Sequence, residues 1–295
     1  MINLTRPDGS RPEDFSLSRR GLAAVVLFSG YAPYALAADA QPIHTDEVGL
    51  VTEIVSLPAA DRDLPAYLAR PAAPGKHPAV IVASEIFGMH DYIKDICRRL
   101  AKLGYVAVAP AFFIRAGDPA PLTDFPQIMK IVSAASDKQV IGDVAAALKF
   151  LILQPYVDAS RLAITGFCWG GRVVWQACET FPQIKAGVAW YGHLAPDQGA
   201  APDPSKFWPL YHVAELKAPV LGLYGGLDKG IPPDQIAAMR AALQAHGDTG
   251  SELIVYPDAQ HGFHADYRSS YNAADAKDGW SRLLAHFARN GVGPA

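Results

Sequence analysis

The 295 residues carry 26 basic and 29 acidic side chains, a formal net charge of −3, and half of them are hydrophobic. Such a chain can bury the core of one large α/β domain or two small ones, and without a basic stripe or patch it is not expected to bind nucleic acid. Three cysteines leave an odd thiol in any pairing, and no CxxC pair or His/Cys cluster has zinc spacing, so neither a disulfide framework nor a metal centre is expected.

The first forty residues read as a leader rather than as part of the fold. A polar stretch ends in Arg19-Arg20, an apolar run covers 21–30, and Ala35-Leu36-Ala37 is a small-residue cleavage site, with Ala38-Asp39-Ala40 as a second. The paired arginines resemble a twin-arginine signal. The apolar run is shorter than the ~20 residues needed to span a bilayer. The expectation is therefore a signal peptide over 1–37 and a single domain over 38–295. The cut would fall after Ala37 or Ala40, leaving a periplasmic or secreted protein with no stable membrane insertion. Twin-arginine export of an already folded chain would also suit unpaired thiols.

Along the remainder, 48–57 and 64–70 read as two strands of an edge hairpin. The continuous apolar run 78–83 suggests a strand buried on both faces. A helix follows over 91–103, with Ile93, Ile96, Cys97, Leu100 and Leu103 on one face. Next come a strand at 105–109, a proline-rich loop over 110–130 and a helix over 138–154. A strand ending near Ile164 leads to a helix over 172–180 and a strand at 186–190. The second long loop, 193–216, is followed by strands at 220–224 and 253–256 that flank a helix over 233–246, and a helix over 272–289 closes the chain. Alternating strands and helices predict a mostly parallel sheet covered on both faces. The aromatic content of the two long loops, Phe112 and Phe113 in the first and Trp208 and Tyr211 in the second, argues for a role in specificity rather than disorder.

Three motifs carry chemistry. Gly166-Phe167-Cys168-Trp169-Gly170-Gly171 has the nucleophile-elbow pattern G-x-S-x-G with sulfur in place of the serine oxygen. By itself it could be a strand–turn–helix around a buried cysteine. Asp228 follows the strand 220–224 in a glycine-rich loop, and His261 follows the last strand. The order Cys168, Asp228, His261 is the nucleophile–acid–histidine order of α/β-hydrolases, and ligands of such sheets bind beyond the carboxyl ends of the strands. A thiol at a helix N-terminus is expected to ionise more readily, and a nearby carboxylate to oppose it.

With these motifs assembled, the chain resembles the dienelactone hydrolases (carboxymethylenebutenolidases) from about Thr52 to Ala288. Ser84-Glu85-Ile86-Phe87-Gly88 is similar to that family's Q-E-I-F-G segment except at the serine, and the cysteine elbow is similar to its G-x-C-x-G-G. The resemblance implies an α/β-hydrolase fold with Cys168, His261 and Asp228 as catalytic residues. It also implies that Glu85 pairs with the resting thiol, and that the N–H groups of Ile86 and Trp169 form an oxyanion hole. Arg115 falls where the family has an arginine for the substrate carboxylate. The family's second such arginine corresponds to Ala265, with Arg268 the nearest replacement in His264-Ala265-Asp266-Tyr267-Arg268. Arg115, Arg268, Phe112 and Tyr267 are the candidate substrate-binding residues. The expected function is hydrolysis of a small ester or lactone through a thioacyl-enzyme, without a cofactor and as a monomer. The competing readings are a carboxylesterase of unrelated substrate, a cysteine peptidase or amidase, a binding module, and a thiol-redox protein, the last disfavoured because no resolving cysteine lies near Cys168.

Overall fold

A computed structural model of the chain describes residues 31–196, 203 and 206–294. The twin-arginine pair and the apolar run over 21–30 lie outside the described residues. Eight strands form one sheet: β1 (Leu50–Pro58), β2 (Asp63–Pro71), β3 (His77–Ala83), β4 (Val106–Pro110), β5 (Val157–Phe167), β6 (Ile184–Trp190), β7 (Val220–Gly225) and β8 (Glu252–Tyr256). Their spatial order is β1-β2-β4-β3-β5-β6-β7-β8. The β1–β2 hairpin and the β2–β4 pair are antiparallel, and every pairing from β4 to β8 is parallel. This is an α/β-hydrolase fold. Central strands such as β3 and β4 are buried along nearly their whole length, which is why they read as unbroken apolar runs.

The helices are α1 (Asp91–Lys102), α2 (Phe125–Ser133), α3 (Asp137–Ile152), α4 (Trp169–Thr180), α5 (Pro233–Ala245) and α6 (Ala273–Arg289). Ser136 caps α3 by accepting from the Gln139 N–H, and Asn272 caps α6 by accepting from Ala274 and Asp275. In α1, Ile93, Ile96, Cys97 and Leu100 are buried as expected, whereas Leu103 lies just past the helix and is 42% exposed.

Two elements depart from the sequence reading. Helix α2 occupies the end of the stretch expected to be a loop; its Pro126 sits in the first turn, where a missing N–H costs nothing. Helix α4 begins at Trp169, directly after the elbow, rather than at Arg172. The paired glycines there are poor helix formers, and close packing against β3 overrides that preference.

Residues 31–45 lie against the domain. Tyr31 and Ala32 are 7% and 1% exposed. The Tyr31 hydroxyl donates to the Ile43 carbonyl at 3.2 Å, the Ala37 N–H to the Tyr267 carbonyl at 2.9 Å, and the Thr45 N–H to Asp95 at 2.6 Å. The expected cleavage positions fall between these contacts, where residues 38, 39 and 41 are exposed. No described helix is long and apolar enough to cross a membrane.

Candidate active site

The site is assembled at the carboxyl ends of β3, β5, β7 and β8. Cys168 joins β5 to α4 with φ 55° and ψ −116°, a positive φ that costs a non-glycine residue about 1–3 kcal/mol. The turn is held by the Cys168 N–H donating to the Trp190 carbonyl and the Gly171 N–H donating to the Cys168 carbonyl, both at 2.9 Å. A Cβ on Gly166 would stand 2.3 Å from the Gly170 carbonyl oxygen, and one on Gly170 would stand 2.3 Å from that of Ala83. These glycines let strand, turn and helix approach closely enough to push the sulfur outward.

Register sets where the expected oxyanion donors stand along neighbouring strands. Ala83 of β3 pairs with Gly166 of β5, and Ile86 and Trp169 each lie three residues beyond that pair. Trp169 opens α4, so its N–H has no intrahelical acceptor. The Ile86 N–H donates to no carbonyl among the described residues.

His261 Nδ1 lies 2.7 Å from Asp228 Oδ2, and the Cys168 sulfur acts on the same ring. The imidazole therefore interacts with both the carboxylate and the thiol. Burial opposes charge on His261, but the Cys168 sulfur and the hydrogen-bonded Asp228 carboxylate outweigh it and push the pKa up to about 10. Asp228 is itself anchored: its Oδ1 accepts from the Gly230 N–H at 2.8 Å. Tyr191, with φ 40°, sets its ring edge against His261 at 5.1 Å.

Glu85 is fully buried, but its partners differ from the expected thiol. Its Oε2 accepts from the Tyr267 hydroxyl at 2.7 Å and lies 3.3 Å from His90 Nε2, while Arg268 Nη1 stands 3.7 Å from Oε1. Burial is the largest influence and would raise its pKa, yet His90, Arg268 and Tyr267 together hold it below the usual glutamate value. The expected Glu85–Cys168 pairing is replaced because His261 engages the sulfur while Tyr267, His90 and Arg268 engage the carboxylate. His90 was missed by the sequence reading. Its signal was a histidine five residues after Glu85, just ahead of α1.

The structure does not bring Arg115 to the site. Its guanidinium spans Asp61 in the β1–β2 turn, at 2.6 and 2.8 Å, and Asp143 of α3, at 2.8 and 2.9 Å. Four donors are spent, and the side chain ties the 110–124 loop to the body. Arg268, by contrast, lines a cleft of about 1210 Å³ together with Asp228, His261, His193, Phe87 and Tyr34. Ala265 is wholly buried, so the cleft-facing cation comes from the next turn. A Cβ on Gly262, which has φ 78°, would sit 2.7 Å from Arg268 Nη1, so glycine at this position leaves the guanidinium room to lie there. Phe112 is buried and packs edge-on against Trp169 at 5.7 Å, supporting the elbow from behind. His264 is buried against the Tyr92 hydroxyl at 2.7 Å and packs with the core. Cys97 and Cys178 are buried free thiols, and no group of potential metal ligands occurs among the described residues.

A sheet of this topology, with Cys168 at positive φ between β5 and α4 and His261 hydrogen-bonded to Asp228 beyond the last strands, is that of an α/β-hydrolase. The chain belongs to the dienelactone hydrolase family, whose model matches residues 64–291. It is 48% identical over 279 residues to a Methylorubrum extorquens protein provisionally named carboxymethylenebutenolidase, covering 94% of each chain. It is also 36% identical to a Bradyrhizobium protein provisionally named 2-oxo-3-(5-oxofuran-2-ylidene)propanoate lactonase, over 75% of this chain and 87% of that one. The crystal structure of a Klebsiella pneumoniae protein provisionally named dienelactone hydrolase superimposes with a TM-score of 0.76 at 47% identity, covering 81% of this chain and 99% of that one. The protein is accordingly a dienelactone hydrolase-like hydrolase.

Proposed function

We propose that the protein hydrolyses a carboxylic ester or lactone through a thioacyl-enzyme, with Cys168 as nucleophile, His261 as proton shuttle and Asp228 fixing the imidazole tautomer. The observation that carries this reading is the 2.7 Å Asp228–His261 hydrogen bond, with the Cys168 sulfur acting on the same ring and presented at positive φ on the elbow. The sulfur attacks the carbonyl carbon while its proton rests on His261, whose pKa stands at about 10. The Ile86 and Trp169 N–H groups receive the developing oxyanion, where one lost donor typically costs ~10²–10³ in rate. Collapse breaks the C–O bond, and His261 returns the proton to the departing oxygen. Water, deprotonated by His261, then cleaves the thioester and frees the sulfur.

A thiolate leaves a tetrahedral intermediate readily, so this nucleophile suits activated esters such as enol lactones better than amides. The lactonase name of the Bradyrhizobium relative supports the same class. Arg268 and Lys229 are the cleft's cations available to a substrate carboxylate, Arg268 in competition with Glu85. Export by the leader, to the periplasm or beyond, is proposed on the sequence of residues 1–30 alone.

The test is a panel of lactones and short aryl esters run against wild type and Cys168→Ala, with mass spectrometry of the enzyme during turnover. Loss of activity by at least about 10³-fold, together with a trapped adduct on Cys168, is the expected result. Full activity in the alanine variant would overturn the mechanism.

A further inference from the structure

The cleft has a wall that no motif of the sequence announced. Tyr34 and Ala35 line it together with His261 and Arg268, although both fall in the stretch expected to be removed as a leader. Tyr31 and Pro33 line a separate cavity of about 330 Å³ with His90 and Phe113. The short arm 31–37 therefore contributes to both cavities. It is anchored at its two ends: Tyr31 is buried with its ring centroid 5.8 Å from that of Tyr267, and the Ala37 N–H donates to the Tyr267 carbonyl at 2.9 Å. Between those anchors the Tyr34 ring stacks on Phe125, the first residue of α2, with centroids 5.2 Å apart and planes at 25°, and lies 6.3 Å from Phe87.

We propose that Tyr34 is a specificity-determining residue of the cleft, forming with Phe87 an aromatic wall that takes a planar, unsaturated or aryl group of the substrate. Tyr34 is 48% exposed, so burial of its ring in the core does not explain its position. Its stack on Phe125 nevertheless fixes the ring, and an aromatic surface oriented before substrate arrives loses little freedom on binding. The working enzyme then begins at or before Tyr31. A cut after Ala37 or Ala40 would delete the wall and uncover the face of Tyr267, the residue whose hydroxyl holds Glu85. This inference rests on the ester and lactone reading of the preceding section.

The experiment uses the full chain and compares kcat/KM for 2-naphthyl acetate with that for trifluoroethyl acetate, an activated ester lacking the planar group. In Tyr34→Ala the naphthyl-to-trifluoroethyl ratio is expected to fall about tenfold through KM, the scale of one aromatic pair, and Tyr34→Phe is expected to restore it. An unchanged ratio, or an equal loss on both esters, would overturn the proposal while leaving the Cys168 chemistry intact. A wild type that hydrolyses neither ester would overturn both readings. The intact mass of the protein recovered from an exporting cell gives an independent check. A mature chain starting at or before Tyr31 supports the wall, and one starting at Ala38 or Gln41 refutes it.

Discussion

Glu179, on α4, offers a quantitative check of the core behind the elbow. It is 2% exposed, and neither carboxylate oxygen has a hydrogen-bond partner among the described residues. Burial, with Glu215 adding repulsion, pushes its pKa from 4.5 to about 9. Between those values the folded chain holds a proton that the unfolded chain has released, so stability falls as pH rises from 4.5 and levels off above about 9. The slope is about 1.4 kcal/mol per pH unit, and neutral pH lies about 2.5 units above the unfolded pKa, so Glu179 lowers stability at pH 7 by about 3 kcal/mol relative to pH 4. Glu179→Gln keeps the shape and removes the titration. Urea unfolding of wild type and variant at intervals from pH 5 to 9, with equal m-values, reads the difference directly. The variant's advantage should be small at pH 5 and grow steadily to pH 8. Parallel stability curves across that range would show that the carboxylate stays charged in the fold, and would refute the reasoning.

Asp228→Asn should leave the fold intact and lower kcat by about 10⁴-fold, the usual effect of presenting the wrong imidazole tautomer. It should also lower the His261 pKa from about 10. A raised histidine pKa stabilises the fold fully below its ordinary 6.5, and that stabilisation is lost as pH rises through about 10, so the variant should lose stability at pH 6 and little above pH 10. NMR titration of the imidazole with unfolding at two pH values checks both, and activity within tenfold of wild type would refute the role. Arg115→Ala should cost about 3 kcal/mol of stability by stranding buried Asp143 while leaving KM unchanged for substrates with and without a carboxylate. A KM increase confined to carboxylate-bearing substrates, with stability intact, would return Arg115 to the cleft.

Much of this molecule is legible in short stretches of chain. The alternation of buried strands with amphipathic helices announces the parallel sheet, and the small residues around Cys168 announce the elbow, because a turn that tight admits nothing larger at 166 and 170. Asp228 and His261 are recognisable because each follows a strand in the hydrolase order. Helix α2 was hidden by the prolines around it, and the start of α4 by the glycines the elbow requires. Arg115 was misplaced for a different reason. Its position after Pro110-Ala111-Phe112-Phe113-Ile114 matches a substrate-binding arginine, but its direction depends on Asp61 and Asp143, one before and one after it in the chain.

The sequence by itself determined the fold class, the cysteine elbow and the order of the groups that surround it, since these depend on local periodicity and on steric limits within a few residues. Only the tertiary structure decided which charges meet. It gave His261 to the Cys168 sulfur, Glu85 to Tyr267, His90 and Arg268, and Arg115 to two carboxylates outside the cleft. It also laid the arm at Tyr34 along the cleft wall. An ion pair or a stacked ring joins side chains from distant stretches of chain, and the strength of each contact depends on how deeply the assembled fold removes them from water.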